Sequence, residues 1–404
     1  MKDPFQLALR FQERKWDILA VFFLFVCYLL IYRDVVFAPY LITGVDFQIP
    51  ARTPYIAWNS FFTSWSEFGN GFPWGTNLNS YGALLNGFYV VVSNGNLVLA
   101  QKFMLLGVFF SSVFMYAFIR KHITRNQIVA VTGAIIYAYG PSTVNYGTGI
   151  VWEYAFFPLV VYFLFNLLGS SPRFRDAALF AISLDLMTGY GLHLMLFLPL
   201  LVIAFFLLNL HESHDKIGYC GRSLKFLLAG FVMFFLSQPS FGLALISLIP
   251  LPITISGRAI VENLVSGVTV SQFYINYGPT PMLNWLLPSG IYSEYILSIV
   301  PIVGLVFPIL AASALLQRRA HSLRLALGFS SVLVVVLTLV ILIQWKTSTF
   351  VWLFYNFPPI RVLRGTEGVE FIMSFLVTVL ISITLSGFAR TIEHRLDVGG
   401  SDKA

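Results

Sequence analysis

Few charged side chains in this 404-residue sequence lie among apolar or aromatic neighbours, and each of those carries a definite chemical possibility. Asp46 stands two residues after Gly44, shortly beyond the first apolar run. It opens a segment in which Trp58, Phe61, Phe62, Trp65, Phe68, Phe72, Trp74 and Tyr81 recur among Asn and Gly residues. Aromatic faces stack on pyranose rings, Asn side chains pair a donor with an acceptor, and a single carboxylate beside them serves as a base. One reading is therefore a sugar- and lipid-handling loop with Trp58, Trp65 and Trp74 in the substrate pocket. The other is a loop at headgroup level, with the Trp residues as interfacial anchors and Asp46 as a helix cap.

Arg361 and Arg364 form the second constellation, in "WKTSTFVWLFYNFPPIRVLRGTEGVEF". A guanidinium pair offers bidentate donors matched to phosphate oxygens. The same pair also suits an ion pair with Glu367 or Glu370, or a lipid headgroup contact. Lys346 and Arg258 are further cations of the same kind. Glu153 in "GTGIVWEYAFFP" and Asp185 in "ISLDLMTGYGLHLML" sit in apolar surroundings, where a carboxylate is costly unless it is paired or faces water. His193 follows Asp185 by eight residues, across a break. These three could line an acceptor or donor pocket, although a neutral His193 satisfied by a backbone carbonyl fits the pattern too. No metal-ligand quartet, P-loop or Gly-x-Ser-x-Gly elbow is present, so no motif supports a divalent cation and no cofactor is implied. Cys27, in an apolar run, and Cys220, in a basic loop, suggest neither a disulfide nor a metal site.

The elements that must position these residues follow from composition. Hydrophobic residues make up 57% of the chain and charged residues only 11%. A soluble domain carries roughly a quarter charged residues, so this chain cannot cover a water-facing surface. It is expected to be an all-α integral membrane protein. A soluble enzyme with one core, a nucleic-acid-binding domain and a disordered protein are all excluded. A span needs about 20 apolar residues. Ten candidates run approximately Trp16 to Tyr32, Leu97 to Ile119, Ile128 to Tyr139, Val151 to Leu168, Asp176 to Thr188, Leu192 to Leu210, Ser223 to Pro250, Ile296 to Leu316, Arg324 to Ile343 and Gly368 to Phe388. The third and fifth are short and end in Gly/Tyr-rich breaks, "YAYGPSTVNYGTG" and "MTGYG". Non-helical backbone at membrane depth must be buried in protein or line a wet cavity.

"MKDPFQLALRFQERK" reads as an interfacial helix feeding the first anchor rather than as a cleaved signal peptide. With both termini cytoplasmic, 18 of the 25 Lys and Arg residues fall on the cytoplasmic side. That satisfies the positive-inside rule for ten spans in the plasma membrane. Cytoplasmic connections are short, whereas external segments 33–96, 251–295 and 344–367 are long, and long loops are usually functional. The expected organisation is one polytopic module over 1–388, a short cytoplasmic tail over 389–404 and no large soluble domain. Half of the acidic residues gather towards the outer face and none sits convincingly at mid-span, which disfavours an ion-coupled carrier.

With its first span, long aromatic external loop and early acid, followed by "FGNGFPWGTNLNSYG" and "GAIIYAYGPSTVNYGTGIVWEYAFFPLVVYFL", the chain resembles the membrane module of GT-C glycosyltransferases. Most closely it is similar to the YfhO-like and α-(1→3)-arabinofuranosyltransferase-like membrane proteins. The resemblance implies a polyprenyl-phosphate-linked sugar donor, transfer on the outer face to a glycan or glycolipid acceptor, Asp46 as catalytic base and a basic residue at the donor phosphate. Two features depart from the family pattern: no soluble domain follows the last span, and no Asp-x-Asp motif occurs. Two other functional classes fit the sequence, a lipid-linked glycan flippase or transporter and a non-catalytic subunit of envelope assembly. Membrane lipids are expected partners in every case, and nucleic acid in none.

Overall fold

Apolar runs bounded by polar residues become helices here because a helix satisfies its own backbone hydrogen bonds, which a membrane interior cannot do for it. The computed structural model describes residues 4–40, 88–89, 91–139, 150–189, 194–238, 320–344 and 367–401. Among them no strand occurs. The principal helices are α1 (Pro4–Ile31), α2 (Arg33–Val36), α3 (Leu97–Phe118), α4 (Gln127–Tyr139), α5 (Ile150–Leu167), α6 (Phe174–Thr188), α7 (Leu198–Glu212), α8 (Lys216–Ser237), α9 (Ala320–Gln344) and α10 (Glu367–Ser401). A π-helical turn, Ile119–Ile123, prolongs α3, and a 3-10 turn, Leu194–Phe197, leads into α7.

Four stretches among the described residues are long and apolar enough to cross a membrane: Leu97–Ile123, Leu194–Glu212, Lys216–Ser237 and Phe371–Ile392. Gln127–Tyr139, Val151–Leu167 and Ser322–Val336 are shorter apolar helices. The protein is thus helical with several potential membrane spans. The expected span at Ile296–Leu316 lies outside the described residues.

Three boundaries differ from the sequence expectation. α8 starts at Lys216 rather than Ser223, because Asp215 caps it: its carboxylate accepts the Gly218 N–H at 2.9 Å. α10 continues from Phe388 to Ser401, so most of the expected tail is helical. The amphipathic lead-in and first anchor form one continuous helix, α1, rather than two elements. The short third and fifth spans end where the breaks were read, at Tyr139 and Thr188.

The helices are sorted by burial. In the membrane-length window of α10, 78% of residues are buried inside the protein, against 22% in that of α8. α10 is therefore a central pillar and α8 a peripheral helix. Five phenylalanines from five helices interlock at the centre: Phe118 of α3, Phe165 of α5, Phe205 of α7, Phe329 of α9 and Phe375 of α10. Their ring centroids lie 4.5 Å apart for Phe165 and Phe205 and 4.7 Å for Phe205 and Phe329, within aromatic contact range. α1 buries Ala20, Leu24 and Tyr28, one residue per turn, and turns Ile18, Leu19, Phe22, Phe23 and Leu30 outwards.

Close approach relies on small residues, as in membrane bundles generally. A Cβ on Gly133 of α4 would lie 2.4 Å from Ser382 Oγ of α10, and one on Gly230 of α8 would lie 2.9 Å from the Phe180 ring of α6.

Most of the described basic residues lie towards one end. Asp17 of α1 accepts hydrogen bonds from Tyr116 at 2.6 Å and from Arg120 at 3.3 Å, with Gln127 of α4 at 3.5 Å. Arg324, opening α9, bonds Glu212 at 2.6 Å and Asn209 at 3.2 Å, both near the end of α7. Arg390 of α10 reaches Ser322 at 3.3 Å. α8 and α9 both begin at this basic end, and both run away from it.

Candidate functional site

At the end opposite the basic cluster, α5 begins and α6 finishes, which brings Glu153 and Asp185 into the same region of the bundle. Glu153 is fully buried and Asp185 is 4% exposed. Each is held by a different device.

Glu153 lies in the first turn of α5, where the helix dipole favours a carboxylate. Its Oε1 accepts the Leu194 N–H at 2.7 Å. Leu194 opens the 3-10 turn before α7, so this N–H has no acceptor within its own helix. Glu153 therefore ties the start of α5 to the backbone immediately after the Gly/Tyr-rich break. Its neighbour Tyr154 fixes its position. The rings of Tyr154 and Tyr137 stack at 4.0 Å, and each hydroxyl donates to the other residue's carbonyl, at 2.7 and 2.8 Å. The Tyr154 hydroxyl also lies 2.9 Å from Ser374 Oγ of α10. Trp152, on the other side of Glu153, stacks on Tyr89 at 6.0 Å.

Asp185 lies one turn before the end of α6. Its Oδ2 accepts the Ser237 hydroxyl at 2.6 Å, and its backbone carbonyl accepts Gln238 Nε2 at 3.3 Å. Gln238 Nε2 also donates to Thr188 Oγ1 at 3.4 Å, and Thr188 donates to the Leu184 carbonyl at 2.8 Å. With the amide NH₂ facing two acceptors, the orientation of Gln238 is set by its network. Two acceptors remain: among the described residues, neither Asp185 Oδ1 nor Gln238 Oε1 has a hydrogen-bond partner. Both residues are buried, and an unmatched buried acceptor costs free energy until a donor reaches it. The region thus offers two oxygen atoms ready for a hydroxyl, a water or a proton.

Ser237, Gln238, Thr188 and Tyr154 join the site although sequence reasoning did not single them out. The available signal was a Ser-Gln pair closing the long apolar run of α8. The other candidates, Asp46, Trp58, Trp65, Trp74, His193, Arg361 and Arg364, lie outside the described residues, as do Arg258 and Lys346. Among the described residues, no group of three His, Cys, Asp or Glu side chains is close enough to hold a metal ion.

No protein-family model matches the chain, nor does any of the curated proteins or solved structures compared with it.

Proposed function

We propose that the protein is a multi-pass plasma-membrane glycosyltransferase of the GT-C type. It takes a sugar from a polyprenyl-phosphate-linked donor and transfers it to an envelope glycan, lipid or protein acceptor on the external face, with both termini cytoplasmic. The observation that carries this reading is the unmatched acceptor pair, Asp185 Oδ1 and Gln238 Oε1, at the end remote from the basic cluster. Sugar hydroxyls are donors of the kind these oxygens lack. The sense of the helices gives further support, since α8 leaves the basic end and α9 starts from it again, as the span read at Ile296–Leu316 requires.

In the proposed reaction an acceptor hydroxyl attacks the anomeric carbon. The new C–O bond forms as the bond from that carbon to the phosphate oxygen breaks, and the electron pair leaves with the lipid phosphate. Asp46 takes the hydroxyl proton, because an alcohol is a poor nucleophile at neutral pH. Arg361 and Arg364 hold the phosphate as its charge grows. A phosphate leaving group needs no acid of its own, and in-line attack inverts the anomeric centre. Glu153, Asp185, His193 and the loop tryptophans would orient the sugars.

The test is transfer from a short-chain polyprenyl-phosphate sugar by the full chain in liposomes. Asp46→Asn is expected to fold normally and to lose about 10²- to 10⁴-fold in rate, the usual contribution of a general base. Turnover equal to that of the unmodified protein would overturn the assignment.

A further inference from the structure

A cavity of about 410 Å³ opens at the basic end of the bundle, among the ends of α5, α7, α8 and α9. Its volume falls in the range of small-molecule sites. It is remote from Glu153 and Asp185, and nothing about it depends on the transfer reaction. Phe165, Phe205, Leu168 and Leu325 form an apolar wall, while Arg222, Arg324, Glu212 and Asn209 bring polar groups to it.

The hydrogen bonds of these groups show what the cavity lacks. Tyr219 and Asn209 both donate to the Leu168 carbonyl, at 3.2 and 3.0 Å, and so close the end of α5. Arg324 is engaged with Glu212 and Asn209. Arg222 stands differently. Its Nε donates to the Gly218 carbonyl at 3.1 Å within its own helix, and its terminal nitrogens, at an exposed position, bond none of the described residues. With Glu212 matched to Arg324, the guanidinium of Arg222 is the unbalanced charge of the lining. The lining therefore carries an excess positive charge, and the two terminal Arg222 nitrogens have the geometry to meet phosphate oxygens.

Two features favour a lipid over a soluble phosphate. The inner wall is apolar, and the side of α8 that carries Arg222 continues through Phe226, Ala229 and Met233, all half-buried. An acyl chain can follow that face away from a headgroup held at Arg222. Glu212 disfavours a second negative charge, so a singly charged phosphodiester fits better than a phosphomonoester or a polyphosphate. Basic pockets between membrane helices at the cytoplasmic side are suited to such headgroups.

We propose that this cavity binds the phosphodiester headgroup of an anionic phospholipid, with Arg222 as the phosphate ligand. The test is native mass spectrometry of the full chain, released from nanodiscs made of equal parts phosphatidylglycerol and phosphatidylcholine. Unmodified protein is expected to retain phosphatidylglycerol selectively. Arg222→Gln is expected to retain about tenfold less, as the loss of a charge-assisted hydrogen bond predicts. Ser170→Trp, at the exposed cavity mouth, is expected to lower retention by blocking entry, and thermal melts should show both variants folded. Equal retention of the two lipids, or retention unchanged in both variants, would overturn the proposal. Displacement of the lipid by millimolar inorganic phosphate alone would assign the site to a soluble phosphate compound and overturn the lipid assignment.

Discussion

Ser237 donates its hydroxyl to Asp185 Oδ2 at 2.6 Å, joining the last turn of α8 to the last turn of α6. The second carboxylate oxygen of Asp185, like Gln238 Oε1, has no hydrogen-bond partner among the described residues. Asp185 is thus half satisfied, and its two oxygens make opposite predictions.

Asp185→Asn keeps an acceptor for Ser237 and adds an NH₂ donor on the unmatched side. It is expected to raise stability by about 1 kcal/mol, because it replaces a buried carboxylate with a neutral amide while keeping the Ser237 bond. Ser237→Ala removes the hydroxyl that Oδ2 accepts, and is expected to cost about 1–3 kcal/mol. Thermal melts in detergent check both signs. A destabilised Asp185→Asn would show that a donor already satisfies the second oxygen.

Glu153→Ala leaves the Leu194 N–H without its carboxylate acceptor, whereas Glu153→Gln keeps an oxygen in place. Hydrogen exchange at the Leu194 amide should accelerate strongly in the first variant and little in the second. The stability cost of the alanine variant is expected at about 1–3 kcal/mol. Equal protection in both variants would show that another group holds the amide.

Two glycine substitutions should differ in sign. Alanine is favoured over glycine in a helix by up to about 1 kcal/mol. Gly221 of α8 has nothing within 4 Å of an added Cβ, so Gly221→Ala should stabilise. Gly133→Ala drives a methyl group to 2.4 Å from Ser382 Oγ and 2.5 Å from Ile119 Cδ1, and should cost about 1–3 kcal/mol through overpacking. Adding Ser382→Gly should recover part of that loss in a double-mutant cycle.

Orientation can be read chemically. Lys121 is exposed at the basic end. In a background with Cys27 and Cys220 changed to Ser, Lys121→Cys should react with a membrane-impermeant maleimide in inside-out vesicles and not in intact cells. Labelling in intact cells would reverse the proposed topology.

Much of the helical arrangement is legible in the sequence, because the edges of the apolar runs coincide with groups that end helices. Asn96 precedes the run at Leu97 and accepts the Leu99 N–H at 3.1 Å, and the run closing at Tyr139 meets a Gly-Pro step. The early start of α8 is hidden, because Lys216–Arg222 is too polar to count as part of a span and owes its helicity to the Asp215 cap. The extension of α10 is hidden for the same reason: Arg390, Arg395 and their neighbours read as tail. Glu153 and Asp185 stand out as carboxylates in apolar runs, since their cost is local. Their partners do not, because the Leu194 amide is 41 residues from Glu153 and the Ser237 hydroxyl is 52 residues from Asp185. A hydrogen bond between helices leaves no periodic mark on either one.

The polar knot on Asp17 has a bearing on biosynthesis. Its Arg120 partner is 103 residues later in the chain and its Gln127 partner 110. When α1 is first made its carboxylate has none of these partners, and it gains them only once α3 and the start of α4 have left the ribosome. From that moment three helices can be latched at one end, with α5 to α10 still unmade. The amino-terminal part of the bundle is therefore equipped to assemble as a unit during translation, giving the later helices a surface against which to dock.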